Sequence, residues 1–208
     1  MFPHNGTMIK MDQTMEIRRA AEADYPGICA LAGSYYRENP TPADRQQGFL
    51  SARFGLQQIA DMANSLGIVI ASDAGQVAGF VCASRCDWTG QPDIVRHMVD
   101  NLPRYRFHER AVDENRVFVY GPVCIDVAYR GRSILRNMYR HLHREMDGRY
   151  AAGVAFVAND NEASLRAHID GLGMSRIGEF RYQERSCQVL AFDIEPAEIA
   201  AISRQTPA

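Results

Sequence analysis

Residues 118–136 read FVYGPVCIDVAYRGRSILR, and this stretch decides the fold. Its first half is rich in β-branched and aromatic residues, which favour a strand. Arg130, Gly131 and Arg132 form a short basic turn, after which apolar residues recur at helical spacing as far as Met146. The stretch therefore predicts a strand, a turn and a helix in direct succession.

The start of this predicted helix is suited to binding an anion. The first N–H groups of a helix have no acceptor within it, and the helix dipole places positive charge there. Because one anionic charge gains only about 0.3–1 kcal/mol from the dipole, several N–H donors and arginines must act together. We expect a phosphate-bearing ligand here; the alternative is an ordinary strand–helix unit with a basic turn.

The segment from Val123 to Leu135 resembles the acetyl-CoA signature of the GNAT superfamily of N-acetyltransferases, usually hydrophobic-x-Val-x-Pro-x-Tyr-Arg-Gly-x-Gly-Ile-Gly. Val127 replaces a common proline, and Ser133 and Leu135 replace small residues. Glycine suits such positions because the backbone must approach a pyrophosphate closely, and because glycine adopts a positive φ that costs other residues about 1 kcal/mol. The Ser133 hydroxyl is expected to donate to a phosphate or to cap the helix. Leu135 is expected to offer only its N–H, with its side chain turned inward.

Residues 157–174 carry a second part of the resemblance. Val157, Asn161, Ser164 and the run Leu172-Gly173-Met174 follow the GNAT pattern in which Val-x-x-x-Asn-x-x-Ala/Ser leads into a helix ending in Leu-Gly-Phe. His168 lies where many relatives place a tyrosine that protonates the departing sulfur, although one extra residue separates it from Gly173. An imidazolium with a pKa of about 6.5 is a competent acid toward a thiolate whose conjugate pKa is about 8.5. The alternative is a histidine that only packs on its helix.

The resemblance implies an α/β (α+β) single domain with a central mixed, mostly antiparallel sheet of about seven strands. This sheet is splayed between its fourth and fifth strands and flanked by helices. In the family, the pantetheine arm of coenzyme A lies in that gap and pairs with backbone at positions that match Val123 and Ile125. The cofactor-binding residues that the resemblance implies are Val123, Cys124, Ile125, Arg130, Gly131, Arg132, Ser133, Ile134, Leu135, Arg136 and Asn161.

The implied activity is direct transfer of an acetyl group from acetyl-CoA to a primary amine of a small molecule or peptide. His168 is the candidate catalytic residue, and the general base stays open among His108, Glu109, Glu114 and a chain of water molecules. The competing hypothesis, favoured by Ser133 and Leu135, is a catalytically silent GNAT-like domain that binds acetyl-CoA or contacts another protein.

The rest of the chain fits one domain over residues 15–195. We predict a strand over 15–20, a helix capped by Asp24, a second helical region over 43–66 broken near Gly55, and a hairpin turning at Ala74-Gly75. Further strands are expected over 151–158, 176–180 and 187–193. The segment 87–116 should contain a helix, and it either covers the substrate or forms a surface insertion or an oligomer contact. Residues 1–14 are predicted to be a flexible leader and 196–208 a C-terminal tail with a weak helix.

Composition limits the partners and the compartment. Of 208 residues, 46% are hydrophobic, and 23 Lys and Arg balance 25 Asp and Glu, so nucleic acid is not an expected partner. The five cysteines are scattered, and no run of apolar residues reaches the length of a membrane span, so we expect a cytoplasmic protein without a membrane partner. His141 and His143 are two residues apart and do not share a helix face, so no metal site is expected. A homodimer is compatible with such a fold, although no residue supports it.

Overall fold

The computed structural model describes residues 15–194. The predicted leader over 1–14 and the tail over 196–208, with its predicted helix, lie outside the described residues.

The described part of the chain has six α-helices, of which the first three follow one another directly after the first strand. They are α1 Tyr25–Tyr35, α2 Pro42–Gln47, α3 Leu56–Ser65, α4 Asp93–Asn101, α5 Ile134–Met146 and α6 Glu162–Ile169. The nine strands of the described part are β1 Glu16–Arg19, β2 Gly67–Asp73, β3 Gln76–Arg85, β4 Arg106–Phe107, β5 Arg110–Ala111, β6 Val117–Ile125, β7 Ala152–Ala158, β8 Ser175–Tyr182 and β9 Arg185–Asp193. None of the helices within 15–194 combines the length and apolar composition that crossing a bilayer would require.

Seven strands form one sheet in the order β1-β2-β3-β6-β7-β9-β8, and β4 pairs with β5 in a separate hairpin. Every neighbouring pair in the large sheet is antiparallel except β6 and β7, which are its fourth and fifth strands along the chain. These two strands pair only between 117–119 and 152–154, and they diverge beyond that point. The predicted seven-stranded sheet, splayed between its fourth and fifth strands, is therefore confirmed.

Helices cover both faces of the sheet. The buried stripe of α5, formed by Ile134, Met138, Leu142 and Met146, packs on one face, as its helical spacing predicts. On the other face, α1 and α3 pack over β2 and β3, and α4 packs beside β6, β7 and β9. Each large side chain buried in this way contributes roughly 1.5–3 kcal/mol, so the core fixes the strands that position the gap.

Two local predictions hold only in part: Asp24 occupies the N-cap position of α1, and the helical region over 43–66 is broken up to Gly55. Asp24 does not cap α1 with its side chain; its carboxylate accepts from the Ala21 N–H at 2.8 Å and binds the Arg18 guanidinium at 2.6 Å. The helical region over 43–66 is interrupted for eight residues, from Gly48 to Gly55, because Gly48 ends α2 with a φ of 86°. Leu50 then bonds to the end of α1, donating its N–H to the Tyr35 carbonyl at 2.9 Å. Gly55 does begin α3.

Candidate functional site

The gap between β6 and β7 exposes unpaired backbone on β6. Cys124 lies opposite Phe80 in the antiparallel ladder with β3, and two residues further the Asp126 N–H donates to the Ala78 carbonyl at 2.9 Å. Because bonded pairs alternate along such a ladder, the Cys124 backbone bonds to β3, whereas the polar groups of Val123 and Ile125 point into the gap. Val123 and Ile125 thus have the orientation that pairing with an extended ligand needs, and the Cys124 backbone does not.

The start of α5 borders the same gap. Gly131 has a φ of 75° and Ser133 a φ of 60°, so the chain makes the left-handed turn that the family's glycines favour. The first helical bond runs from the Asn137 N–H to the Ser133 carbonyl at 3.0 Å. Across the described part of the chain, no acceptor bonds to the N–H groups of residues 131–136. These six donors are available to an anion.

The backbone of Ser133 adopts the conformation for which the family uses glycine. Its φ is positive, which places a side chain in a conformation that costs about 1–2 kcal/mol. Its hydroxyl does not cap α5, so the capping alternative is wrong. Donation to a phosphate stays a prediction. Leu135 is half-buried and lines the cavity beside the gap.

The three arginines of the basic segment have different surroundings. Arg130 donates to the Ile125 carbonyl at 3.0 Å and to the Gln47 carbonyl, and its guanidinium lies over the Tyr35 ring. Arg130 therefore ties the end of α2 to β6. Arg132 lies over the Tyr129 ring and Arg136 donates to the Gly171 carbonyl at 3.2 Å, and both are exposed beside the free N–H groups.

Two adjoining cavities occupy the gap. The cofactor-side cavity, of about 270 Å³, is lined by the start of α5, the end of β6 and the loop after α2. The acceptor-side cavity, of about 130 Å³, is lined by the diverging parts of β6 and β7, the loop over 49–54 and residues of the 87–116 segment. The residues that line both are Phe49, Leu50, Val123, Asn161, Ser164 and His168. His168 thus lies at the junction.

His168 is 6% exposed and is held in one orientation. Its Nδ1 lies 2.7 Å from the Ser164 carbonyl oxygen, which can only accept, so Nδ1 carries the proton. Within residues 15–194, Nε2 has no hydrogen-bond partner. Burial lowers the pKa of His168 below its usual 6.5, so the ring is neutral at pH 7. Nε2 then presents a lone pair, which suits a proton acceptor and not the imidazolium acid expected from the sequence.

Asn161 holds the site together through both ends of its amide. Its Oδ1 accepts from the Ser164 N–H at 3.3 Å, which caps α6, and its Nδ2 donates to the Phe49 carbonyl at 2.9 Å. The side chain is 6% exposed. Asn161 therefore fixes His168 and the 49–54 loop relative to each other.

The remaining candidates for a base lie elsewhere. His108, Glu109 and Glu114 line neither cavity, and His108 instead bonds to Asp193 at 2.8 Å.

No group of three or more His, Cys, Asp or Glu side chains within 15–194 is arranged to hold a metal ion. The predicted helix of the 87–116 segment is present as α4. Trp88, Gln91 and Ile94 of this segment line the acceptor-side cavity, which favours the hypothesis that the segment covers the substrate.

Sequence reasoning missed several residues of this cavity. Ser84 and Gln91 belong to no motif, and only the tertiary structure brings them to the gap. Tyr120 was also missed. Its ring stands edge to face with that of His168, with the ring centroids 5.7 Å apart, and burial raises the pKa of its hydroxyl.

Neither a protein-family model nor a curated protein matches the sequence. Solved structures do match. An N-acetyltransferase from Staphylococcus aureus Mu50 superposes with a TM-score of 0.59 at 16% identity, covering 88% of this chain and 99% of its own. The structure of yncA from Salmonella typhimurium, solved with its cofactor acetyl-CoA, superposes with a TM-score of 0.57 at 16% identity. The match covers 87% of this chain and 94% of yncA.

An acetyltransferase of the GNAT family from Streptococcus pneumoniae superposes with a TM-score of 0.55 at 14% identity, covering 86% of this chain and 99% of its own. At such identities the likeness shows the fold alone. The chain therefore has the fold of the GNAT acetyltransferases.

Proposed function

We propose that this protein transfers an acetyl group from acetyl-CoA to a primary amine. The observation that carries the proposal is the row of free N–H groups over 131–136, beside a gap into which the backbone of Val123 and Ile125 points. A diphosphate fits the first feature and an extended amide-containing arm fits the second. The cofactor-side cavity joins the two, so one ligand can use both.

Acetyl-CoA supplies an acyl carbon activated as a thioester. The N–H groups over 131–136, with Arg132 and Arg136, hold the diphosphate, and Val123 and Ile125 orient the arm toward His168. The amine nitrogen forms a bond to the carbonyl carbon, the carbon–sulfur bond breaks, and the electron pair leaves with sulfur. The nitrogen gives a proton to Nε2 of His168, the thiolate takes up one proton from solvent, and His168 returns its proton to solvent, so coenzyme A leaves as the thiol. Holding both reactants together supplies about 7–11 kcal/mol of the barrier.

The alternative is a domain that binds acetyl-CoA without turnover. Arg130 favours it, because its guanidinium bonds to the Ile125 carbonyl, one of the groups that would pair with the arm. Both polar atoms of the Asn161 amide likewise already bond within the chain.

Calorimetry with acetyl-CoA tests the row of N–H donors directly. Leu135→Pro removes one free N–H within the first helical turn, where proline is tolerated, and Leu135→Ala is the matched control that keeps the donor. A hydrogen bond to a charged group contributes about 1.5–3 kcal/mol, so the proline variant should bind about ten- to a hundredfold more weakly than the alanine variant. Circular dichroism verifies that both variants fold.

Release of free thiol in the presence of amines then separates the two functions. Turnover on an amine supports the transferase. Binding of acetyl-CoA without turnover on any amine selects the silent domain, and absence of binding to the native protein rejects both.

A further inference from the structure

The acceptor-side cavity is lined by uncharged residues. Its walls are mainly apolar and include Phe49, Phe54, Met62, Trp88, Ile94 and Val95. Among the described residues that line it, there is no Asp, Glu, Lys or Arg, and the imidazole of His168 is buried. An ammonium group entering this cavity would lose its hydration without gaining a carboxylate, which is strongly unfavourable.

The volume of the cavity sets the size of what it holds. It measures about 130 Å³. An apolar protein cavity of about 150 Å³ is large enough to bind benzene. The acceptor-side cavity therefore has room for one six-membered ring or a branched aliphatic group of similar size.

Two buried polar side chains remain available to a ligand. Gln91, which is 6% exposed, donates through Nε2 to the Arg85 carbonyl at 2.8 Å, and its Oε1 has no partner in the described chain. Tyr120, which is 3% exposed and lines the same cavity, has a buried hydroxyl with no hydrogen-bond partner over 15–194. Because buried polar groups are normally bonded, these atoms indicate that a ligand with a polar group completes the cavity.

From these features we infer that the acceptor is a primary amine on an uncharged, ring-sized apolar group, bound with its nitrogen neutral. That the bound amine accepts an acetyl group rests on the proposed function, whereas the binding of such an amine in the cavity does not. The ring occupies the space bounded by Trp88, Ile94 and Val95, and the nitrogen lies toward His168. Aromatic amines, whose nitrogen lone pair is delocalised into the ring and which are therefore weak bases, fit the site best. Diamines and lysine side chains fit worst.

Trp88 gives a direct measurement, because it is the one tryptophan of the chain. Its fluorescence should change saturably when aniline is added, with or without acetyl-CoA. The same concentrations of 1,4-diaminobutane should leave it unchanged. Cyclohexylamine has a ring of the same size but is a stronger base, so it should bind more weakly than aniline at pH 7 and approach it at high pH.

In thiol-release assays, kcat/KM for aniline should exceed that for 1,4-diaminobutane by about tenfold or more, since apolar pockets discriminate on this scale. Trp88→Ala should shift the preference toward 2-naphthylamine by enlarging the cavity. Ile94→Glu should raise the relative rate on 1,4-diaminobutane by supplying a carboxylate, whereas the matched Ile94→Gln variant should not. Leu56→Ala, an exposed position outside the cavity, is the control for general effects.

The outcomes separate this inference from the proposed function. Binding of aniline without turnover would uphold the acceptor class and reject the transferase. Turnover that is faster on 1,4-diaminobutane than on aniline would uphold the transferase and overturn the acceptor class. Absence of any aniline-dependent fluorescence change, in a protein that binds acetyl-CoA, would also overturn it.

Discussion

Replacing Ser133 with glycine should stabilise the protein. Ser133 begins α5 with φ 60° and ψ 13°, it is exposed, and its side chain makes no capping bond. Relief of the left-handed conformation is worth about 1–2 kcal/mol, and the greater freedom of glycine in the unfolded chain costs about 0.5–1 kcal/mol. The net gain is about 1 kcal/mol, which corresponds to a rise in Tm of about 2–4 °C for a chain of this size.

Thermal unfolding followed by circular dichroism measures this gain. Ser133→Ala keeps the strain and removes only the hydroxyl, so its Tm should stay near that of the native protein. Ser34→Gly, inside α1, should lower the stability by about 0.5–1 kcal/mol, because glycine relieves no strain there. The strain argument fails if Ser133→Gly lowers the Tm as Ser34→Gly does. If the hydroxyl donates to a phosphate, Ser133→Ala should also weaken acetyl-CoA binding without changing the Tm.

Three further predictions concern charge. Arg132→Ala should weaken acetyl-CoA binding in calorimetry, whereas Arg140→Ala, on the exposed side of α5, should not. Asp24→Asn should destabilise the protein at pH 7 by about 1–3 kcal/mol, as measured by urea unfolding. The Arg18 hydrogen bond lowers the pKa of Asp24, so the native carboxylate loses its charge only below pH 3.8. The difference in stability between the variant and the native protein should therefore vanish as the pH falls below 3.8. Burial lowers the pKa of His168, so activity on the weak base aniline should be constant above pH 6.5 and fall only at lower pH, as the ring becomes protonated. His168→Gln should be about a hundredfold slower on aniline and should not show that fall, and an unchanged rate would remove His168 from the reaction.

The sequence predicted those parts of the fold that depend on local patterns. The hairpin at Ala74-Gly75, the helix after Ser133 and the strands at both ends of the sheet all follow from periodicity and turn residues, and the structure has each of them. The loop over 48–55 was missed because Phe49, Leu50 and Phe54 continue a helical spacing. Their places are decided instead by tertiary contacts, such as the bond from Leu50 to Tyr35.

For the site, the sequence placed the segment that begins α5 and the position of His168, but not the protonation state of the imidazole. That state depends on burial and on the Ser164 carbonyl, which come from packing. The same limit applies to Gln91 and Tyr120. Their unbonded polar atoms become informative only when the cavity around them is known.

Arg130 shows why a motif position does not fix the partner of its side chain. A guanidinium donates both to phosphate and to carbonyl oxygens but binds the charged phosphate more strongly, so the sequence alone favours the phosphate that the neighbouring N–H groups suggest. In the folded chain, α2 brings the Gln47 carbonyl opposite that of Ile125, and Arg130 bridges the two carbonyls. Arg130 then orders the wall of the cofactor-side cavity, and Arg132 and Arg136 remain exposed to neutralise an anion. Loss of Arg130 should consequently disturb the loop over 48–55 and the acceptor-side cavity, whereas loss of Arg132 should affect only the cofactor.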